Sequence, residues 1–279
     1  RSRRWHTAVF MEQAGDPITS AERTSRAERR RIAVIVLGMH RTGTSAVTGA
    51  LHLLGATAPK DMMAPRVFNA RGNWESQAVI RVNNAVLQAG GSHWRDWSPF
   101  DEHRIPPDAL AQLEAQAAAA IATEFGEAPL ILLKDPRMCR LMPFWRRVLD
   151  RAGYAPRIVI PVRSPLDAAL SLLDRNAMPV EEGMLLWLRY VLDAERATRD
   201  LRRCFVSFAD FLEDWRAAVA RMSGALQVDW PVSTVAAGAD VDAFISGKLR
   251  HHQWAADDPR LRSAGLDGVP EAYDILMSL

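Results

Sequence analysis

The feature that most constrains this chain is an apolar run that ends in a glycine-flanked loop. Residues 32–37 read Ile-Ala-Val-Ile-Val-Leu, and Gly38-Met39-His40-Arg41-Thr42-Gly43-Thr44-Ser45 follows without a break. A continuous β-branched run with no polar alternation predicts a strand buried on both faces, the habit of parallel sheets. The spacing predicts a helix after the loop, through about Leu54, stopped near Gly55. Further strands are predicted at 130–133, 157–162 and 204–208. Helical patterns fall at 76–89, 108–125, 138–150, 165–176, 181–202 and 209–224. Strands alternating with helices imply an α/β fold, a parallel sheet flanked by helices. Residues 31–279 are expected to form a single domain. Residues 1–30 are polar and basic and are read as an arm or linker.

Composition excludes several classes. Hydrophobic residues make up 48% of 279, enough for a sizeable core. No run approaches the length of a transmembrane helix, and RSRRWHTAVF lacks the apolar stretch of a signal peptide. The chain starts without Met, so a further domain in a longer protein is an expectation. Two cysteines, Cys139 and Cys204, rule out a disulfide framework and imply a reducing compartment. The net charge of +2 gives no argument for nucleic acid. His251 and His252 lack carboxylates at helical spacing, so no metal is expected. Only three of the 35 basic residues are lysines: Lys60, Lys134 and Lys248. Arg and Ala richness implies a GC-rich genome and a bacterial, cytoplasmic setting. In that background a lysine inside a site-like motif is informative.

Gly38 and Gly43 have the spacing of a P-loop, G-x-x-x-x-G-K-[ST]. Such a loop turns successive N–H groups inward, and the following helix adds its positive end. Here Thr44 stands at the lysine position, and the nearest cation is Arg41. A nucleoside-triphosphate enzyme would lack its lysine. It would also lack a clear acidic Mg²⁺ ligand, because Lys134 precedes Asp135 at the end of a neighbouring strand.

The strand and loop VIVLGMHRTGTSAV resemble the 5′-phosphosulfate loop of sulfotransferases that use 3′-phosphoadenosine-5′-phosphosulfate (PAPS) and release 3′-phosphoadenosine-5′-phosphate (PAP). Arg41, Gly43, Thr44 and Ser45 match residue by residue, and His40 and Thr42 lie inside the same loop. A second match is Arg163 with Ser171 eight residues on, which in the family bind the 3′-phosphate. Ser164, Pro165 and Asp167 between them need no function, because they form a helix start. The alternative for Arg163 is an ion pair with Asp167. The resemblance covers about 32–255 and implies a P-loop fold closer to the tyrosylprotein and carbohydrate type than to the cytosolic small-molecule type.

Lys134-Asp135-Pro136-Arg137 resembles the family's lysine that stabilises the leaving group. The cytosolic type carries a His two residues later as base. Pro136 stands there, so the base is expected elsewhere. Glu75, in Arg71-Gly72-Asn73-Trp74-Glu75, is the candidate, with His93, His103 and Asp135 as rivals. The alternative for Glu75 is an acid suited to a helix N-terminus. Phe208 stands where the family places a Tyr near the adenine. Lys248 and Arg250 resemble a late loop that contacts the 3′-phosphate, in altered order.

The loop 88–106 carries Trp94, Trp97 and Phe100, read first as a lid packed on the core and second as an acceptor wall. Trp187 is expected in the core, and Trp145 and Trp215 sit on helical patterns and need no function. The resemblance implies sulfuryl transfer to a hydroxyl or amine of an acceptor, a carbohydrate or glycolipid by family habit, near the inner membrane surface. A small-molecule kinase and a non-catalytic nucleotide- or glycan-binding module remain the alternatives.

Overall fold

The structure is a computed structural model that describes residues 31–64, 72–245 and 268–278. The basic arm 1–30, Arg71, Lys248, Arg250 and the pair His251–His252 lie outside the described residues.

Four strands form one parallel sheet: β1 (Arg31–Val36), β2 (Leu130–Lys134), β3 (Tyr154–Val162) and β4 (Arg203–Ser207), in the order β2-β1-β3-β4. The apolar run of β1 is continuous because both of its faces are covered. Ala33, Ile35 and Leu37 join the apolar cluster on one side of the sheet, and Val34 and Val36 join the cluster on the other. β2 divides in the same way, with Ile131 and Leu133 on one face and Leu130 and Leu132 on the other. The outer edge of β2 is paired by Thr57, whose N–H donates to Leu130 O and whose carbonyl accepts from Leu132 N. That contact covers an edge that would otherwise present unpaired backbone groups.

The helices are α1 (Thr44–Leu53), α2 (Gln77–Ala89), α3 (Pro107–Phe125), α4 (Met138–Arg151), α5 (Pro165–Asn176), α6 (Val180–Ala197), α7 (Phe208–Glu213), α8 (Trp215–Leu226), α9 (Gly238–Ile245) and α10 (Gly268–Met277). α1, α7, α8 and α9 supply one apolar cluster, and α2 to α6 with α10 supply the other. Trp187 is fully buried, as expected, and so is Trp145, with Trp215 nearly so.

Some boundaries differ from the sequence reading. β3 begins at Tyr154, three residues before the apolar run. The helix expected over 181–202 ends at Ala197, where Thr198 turns its hydroxyl back onto Ala194 O. The helix expected over 209–224 is two helices, because Asp214 leaves helical geometry and caps α8 by accepting from Ala217 N. α9 and α10 were not foreseen. Each is short, and in each only two or three residues are buried.

Candidate active site

The loop after β1 and the ends of β2, β3 and β4 lie at one edge of the sheet, the carboxyl edge where open α/β sheets bind ligands. In the loop, Arg41 (φ 73°) and Gly43 (φ 91°) both adopt left-handed backbone conformations. Such residues turn neighbouring N–H groups towards a common concavity. Thr42 closes the turn, with its hydroxyl donating to Met39 O at 2.8 Å. The two glycines are required by contact. A Cβ on Gly38 would lie 2.6 Å from Thr42 Oγ1, and one on Gly43 would lie 2.2 Å from the Phe208 ring. α1 starts at Thr44, so its first N–H groups face the loop without intrahelical acceptors.

Lys134, the last residue of β2, joins three segments. Its Nζ donates to Glu75 Oε1 at 2.5 Å, to Asn73 O at 2.9 Å and to Ser45 Oγ at 3.3 Å. The Lys134 and Glu75 side chains are only 4% and 7% exposed. A buried pair of this kind needs hydrogen bonds to offset its desolvation, and these three acceptors take up the protons of the Lys134 ammonium. Glu75 is not itself within α2. Ser76 is the cap of that helix, accepting from Val79 N at 3.2 Å.

The second pair is also assembled, with Arg41 between its members. Arg41 Nε donates to Ser171 Oγ at 2.7 Å, and Arg163 Nη1 donates to Arg41 O at 3.1 Å. Arg163 also pairs with Asp167 at 3.5 Å, and its guanidinium lies 5.5 Å from the Phe208 ring centroid. The ion-pair alternative for Arg163 is thus present alongside its place at the site. Burial, then Arg175 and Arg163, pull the Arg41 pKa down to about 10. Burial likewise lowers Arg163, partly countered by Asp167. Two guanidinium groups therefore meet at one loop tip, with Arg175 near enough to depress Arg41, an arrangement that favours an anion.

His40 packs edge-on to Trp94 at 5.0 Å. Its Nε2 is enclosed, with no hydrogen-bond partner among the described residues. Burial, followed by Arg137, Arg175, Lys134 and Arg41, holds its pKa well below the ordinary histidine value.

The rival bases sit differently. Asp135 is fully buried and accepts from Arg137 Nη1 at 2.9 and 2.8 Å, so its carboxylate fixes that arginine. His93 and His103 are exposed, and no described hydrogen bond joins either side chain to Lys134. The loop that carries them is clamped. Arg140 donates to His93 O and Ser98 O, Tyr190 donates to Trp94 O, and Arg95 makes a two-bond pair with Glu182. Trp94 and Phe100 pack on the core as the lid reading expected, while Trp97 stays half exposed.

Sequence reasoning missed Asn73, Arg137 and Arg175. Asn73 acts through its backbone carbonyl, which no residue type reveals. Arg175 follows Ser171 by four residues on the same face of α5, a spacing that was available to find it.

Fold and loop together define the class: an α/β protein built on a strand, a glycine-flanked loop and a helix. Neither a protein-family model nor a curated protein matches the chain. Among solved structures it is similar to the sulfotransferase domain from the Synechococcus PCC 7002 olefin synthase, at 14% identity and a TM-score of 0.46, over 88% of this chain and 96% of that one. It is also similar to the sulfotransferase STF1 from Mycobacterium tuberculosis H37Rv, at 13% identity and a TM-score of 0.43, over 91% and 79%.

Proposed function

We propose that this protein is a PAPS-dependent sulfotransferase that moves a sulfuryl group to a hydroxyl or amine of an acceptor, a saccharide or glycolipid. The observation that carries the reading is Lys134, whose ammonium touches both the loop helix, at Ser45, and the buried carboxylate of Glu75. One cation at the junction of an anion loop and a carboxylate suits a transfer in which one oxygen loses a proton while another gains charge.

A bound donor supplies a sulfuryl group whose bond to the 5′-phosphate oxygen breaks as the acceptor oxygen bonds to sulfur. The loop N–H groups of Gly43, Thr44 and Ser45 would hold the 5′-end. Arg163 and Ser171 would hold the 3′-phosphate side, where a guanidinium fork matches a phosphate. Glu75 accepts the proton of the acceptor. Lys134 and Arg41 stabilise the charge that grows on the leaving oxygen. A sulfuryl group carries less negative charge than a phosphoryl group, so these cations replace the Mg²⁺ that a kinase would require.

Among the described residues no helix is long and apolar enough to cross a membrane. The reading includes a bacterial cytoplasmic setting.

Calorimetry of the full chain with PAP and with ATP, each with and without Mg²⁺, tests the donor. PAP is expected to bind without metal and more tightly than ATP. Tighter binding of ATP with Mg²⁺ would replace this reading with the kinase.

A further inference from the structure

A cavity of about 370 Å³ lies beside the Glu75 segment, lined by Lys60, Asp61, Met62, Met63, Gly72 and Trp74 among others. Its walls are two thioethers and an indole, with the charged groups of Lys60 and Asp61 exposed. A volume of this order suits a small organic ligand.

Three observations set this cavity apart from a surface dent. First, it is connected to the catalytic pair. Asn73 Nδ2 donates to Met63 Sδ at 3.1 Å in the cavity wall, while Asn73 O accepts from Lys134 Nζ at 2.9 Å. A single residue thus spans from the wall to the lysine that holds Glu75. Second, the cavity is framed. Met63 N donates to Glu75 O and Gln77 N to Asp61 O, so the two sides pair like strands. Buried Glu124 of α3 ties both sides, accepting from Asp61 N and Ser76 Oγ at 2.9 Å each. Third, a residue of its wall carries an unanswered donor. Trp74 Nε1 is enclosed and has no hydrogen-bond partner among the described residues. It lies 4.0 Å from where a Cβ of cavity-lining Gly72 would stand. Trp74 also has φ 59°, a costly conformation for a bulky side chain that is kept mainly at functional sites.

Resting on the sulfotransferase reading, we propose that this cavity binds the acceptor through an apolar body attached to the reacting hydroxyl. The thioethers and indole cover the apolar part, and the Trp74 N–H donates to an oxygen of the acceptor. A free oligosaccharide has no apolar body to place there. The acceptor class is therefore an alcohol on an alkyl or lipid-like body, glycolipids included and unsubstituted saccharides excluded.

The test titrates n-octyl β-glucoside, below its micelle concentration, and methyl β-glucoside into the full chain, with and without PAP. The two probes share their hydroxyls and differ in the tail. The octyl probe is expected to bind the PAP-loaded protein at least about tenfold more tightly. Met62→Gln and Met63→Gln should remove most of that ratio while leaving PAP binding unchanged. Met62 is 39% exposed, so its variant is not expected to disturb folding. Trp74→Phe, which keeps an aromatic ring and loses the donor, should weaken both probes about fivefold. Equal binding of the two probes overturns the inference and leaves the donor reading standing, as does an octyl preference untouched by all three variants. Failure of PAP to bind overturns the donor reading, and the acceptor role of the cavity falls with it.

Discussion

The two halves of the site are built from opposite materials. The donor side gathers Arg41, Arg163 and Lys134 around a loop with left-handed residues at Arg41 and Gly43. The cavity beyond Glu75 is walled by Met62, Met63 and Trp74. Guanidinium groups crowded together and partly buried raise the energy of the empty site, and an anion relieves it. Soft apolar walls impose no such strain and choose by shape and hydrophobic contact. On the proposed reading, the donor half is thus set for one ligand chemistry, and the acceptor half for a range of apolar bodies.

The largest effect that would test this contrast is at Lys134, which serves both halves. Lys134→Ala should lower kcat by about 10²–10³-fold, with a much smaller loss in PAP affinity. Equal losses in both would reduce Lys134 to a nucleotide ligand. The same change leaves Glu75 buried without its cation, which costs about 3–5 kcal/mol of stability. The double variant Lys134→Met with Glu75→Gln should recover stability in a thermal melt without recovering turnover.

A smaller effect belongs to the donor side alone. Arg163→Ala should lower the ratio of affinities for PAP over adenosine 5′-monophosphate about 10–100-fold by calorimetry. Binding of the octyl probe to the apolar cavity should not move. An unchanged nucleotide ratio would leave Arg163 a structural role, in its ion pair with Asp167 and its hydrogen bond to Arg41 O.

The smallest effect is in stability against pH, and His40 carries it. The folded state holds His40 neutral, with a pKa below the unfolded value near 6.5. On acidification the unfolded chain binds a proton that the folded one does not, so stability falls as pH drops below about 6.5. The slope from this residue is at most about 1.4 kcal/mol per pH unit. Melts of the wild type and His40→Gln between pH 7.5 and 5 should show a shallower acid loss in the variant. Identical slopes would mean that the folded state admits the proton.

Much of this architecture was legible because it rests on local chemistry. The β1 run had to be a two-sided buried strand, and its residues do divide between two clusters. Arg163 and Lys134 were legible as charges at the ends of strands, and Ser171 as a hydroxyl in the helix that follows Arg163. Helix ends at Thr198 and Asp214 were misjudged, because a hydroxyl back-bond and a cap hydrogen bond decided them over the apolar period. α9 and α10 bury too few residues to give a clear pattern.

By itself the sequence determined the sheet, the glycine loop and the cations Arg41, Arg163 and Lys134, since periodicity, backbone freedom and charge are properties of neighbouring residues. Only the tertiary structure decided that Lys134 grips Glu75 across 59 residues, and that Arg41 stands between Arg163 and Ser171. It also decided that Asp135 is spent on Arg137 and that Met62, Met63 and Trp74 wall a cavity. A methionine in a cavity wall and one in a core are the same letter. Which partner a buried charge meets depends on segments that come together only when the sheet closes.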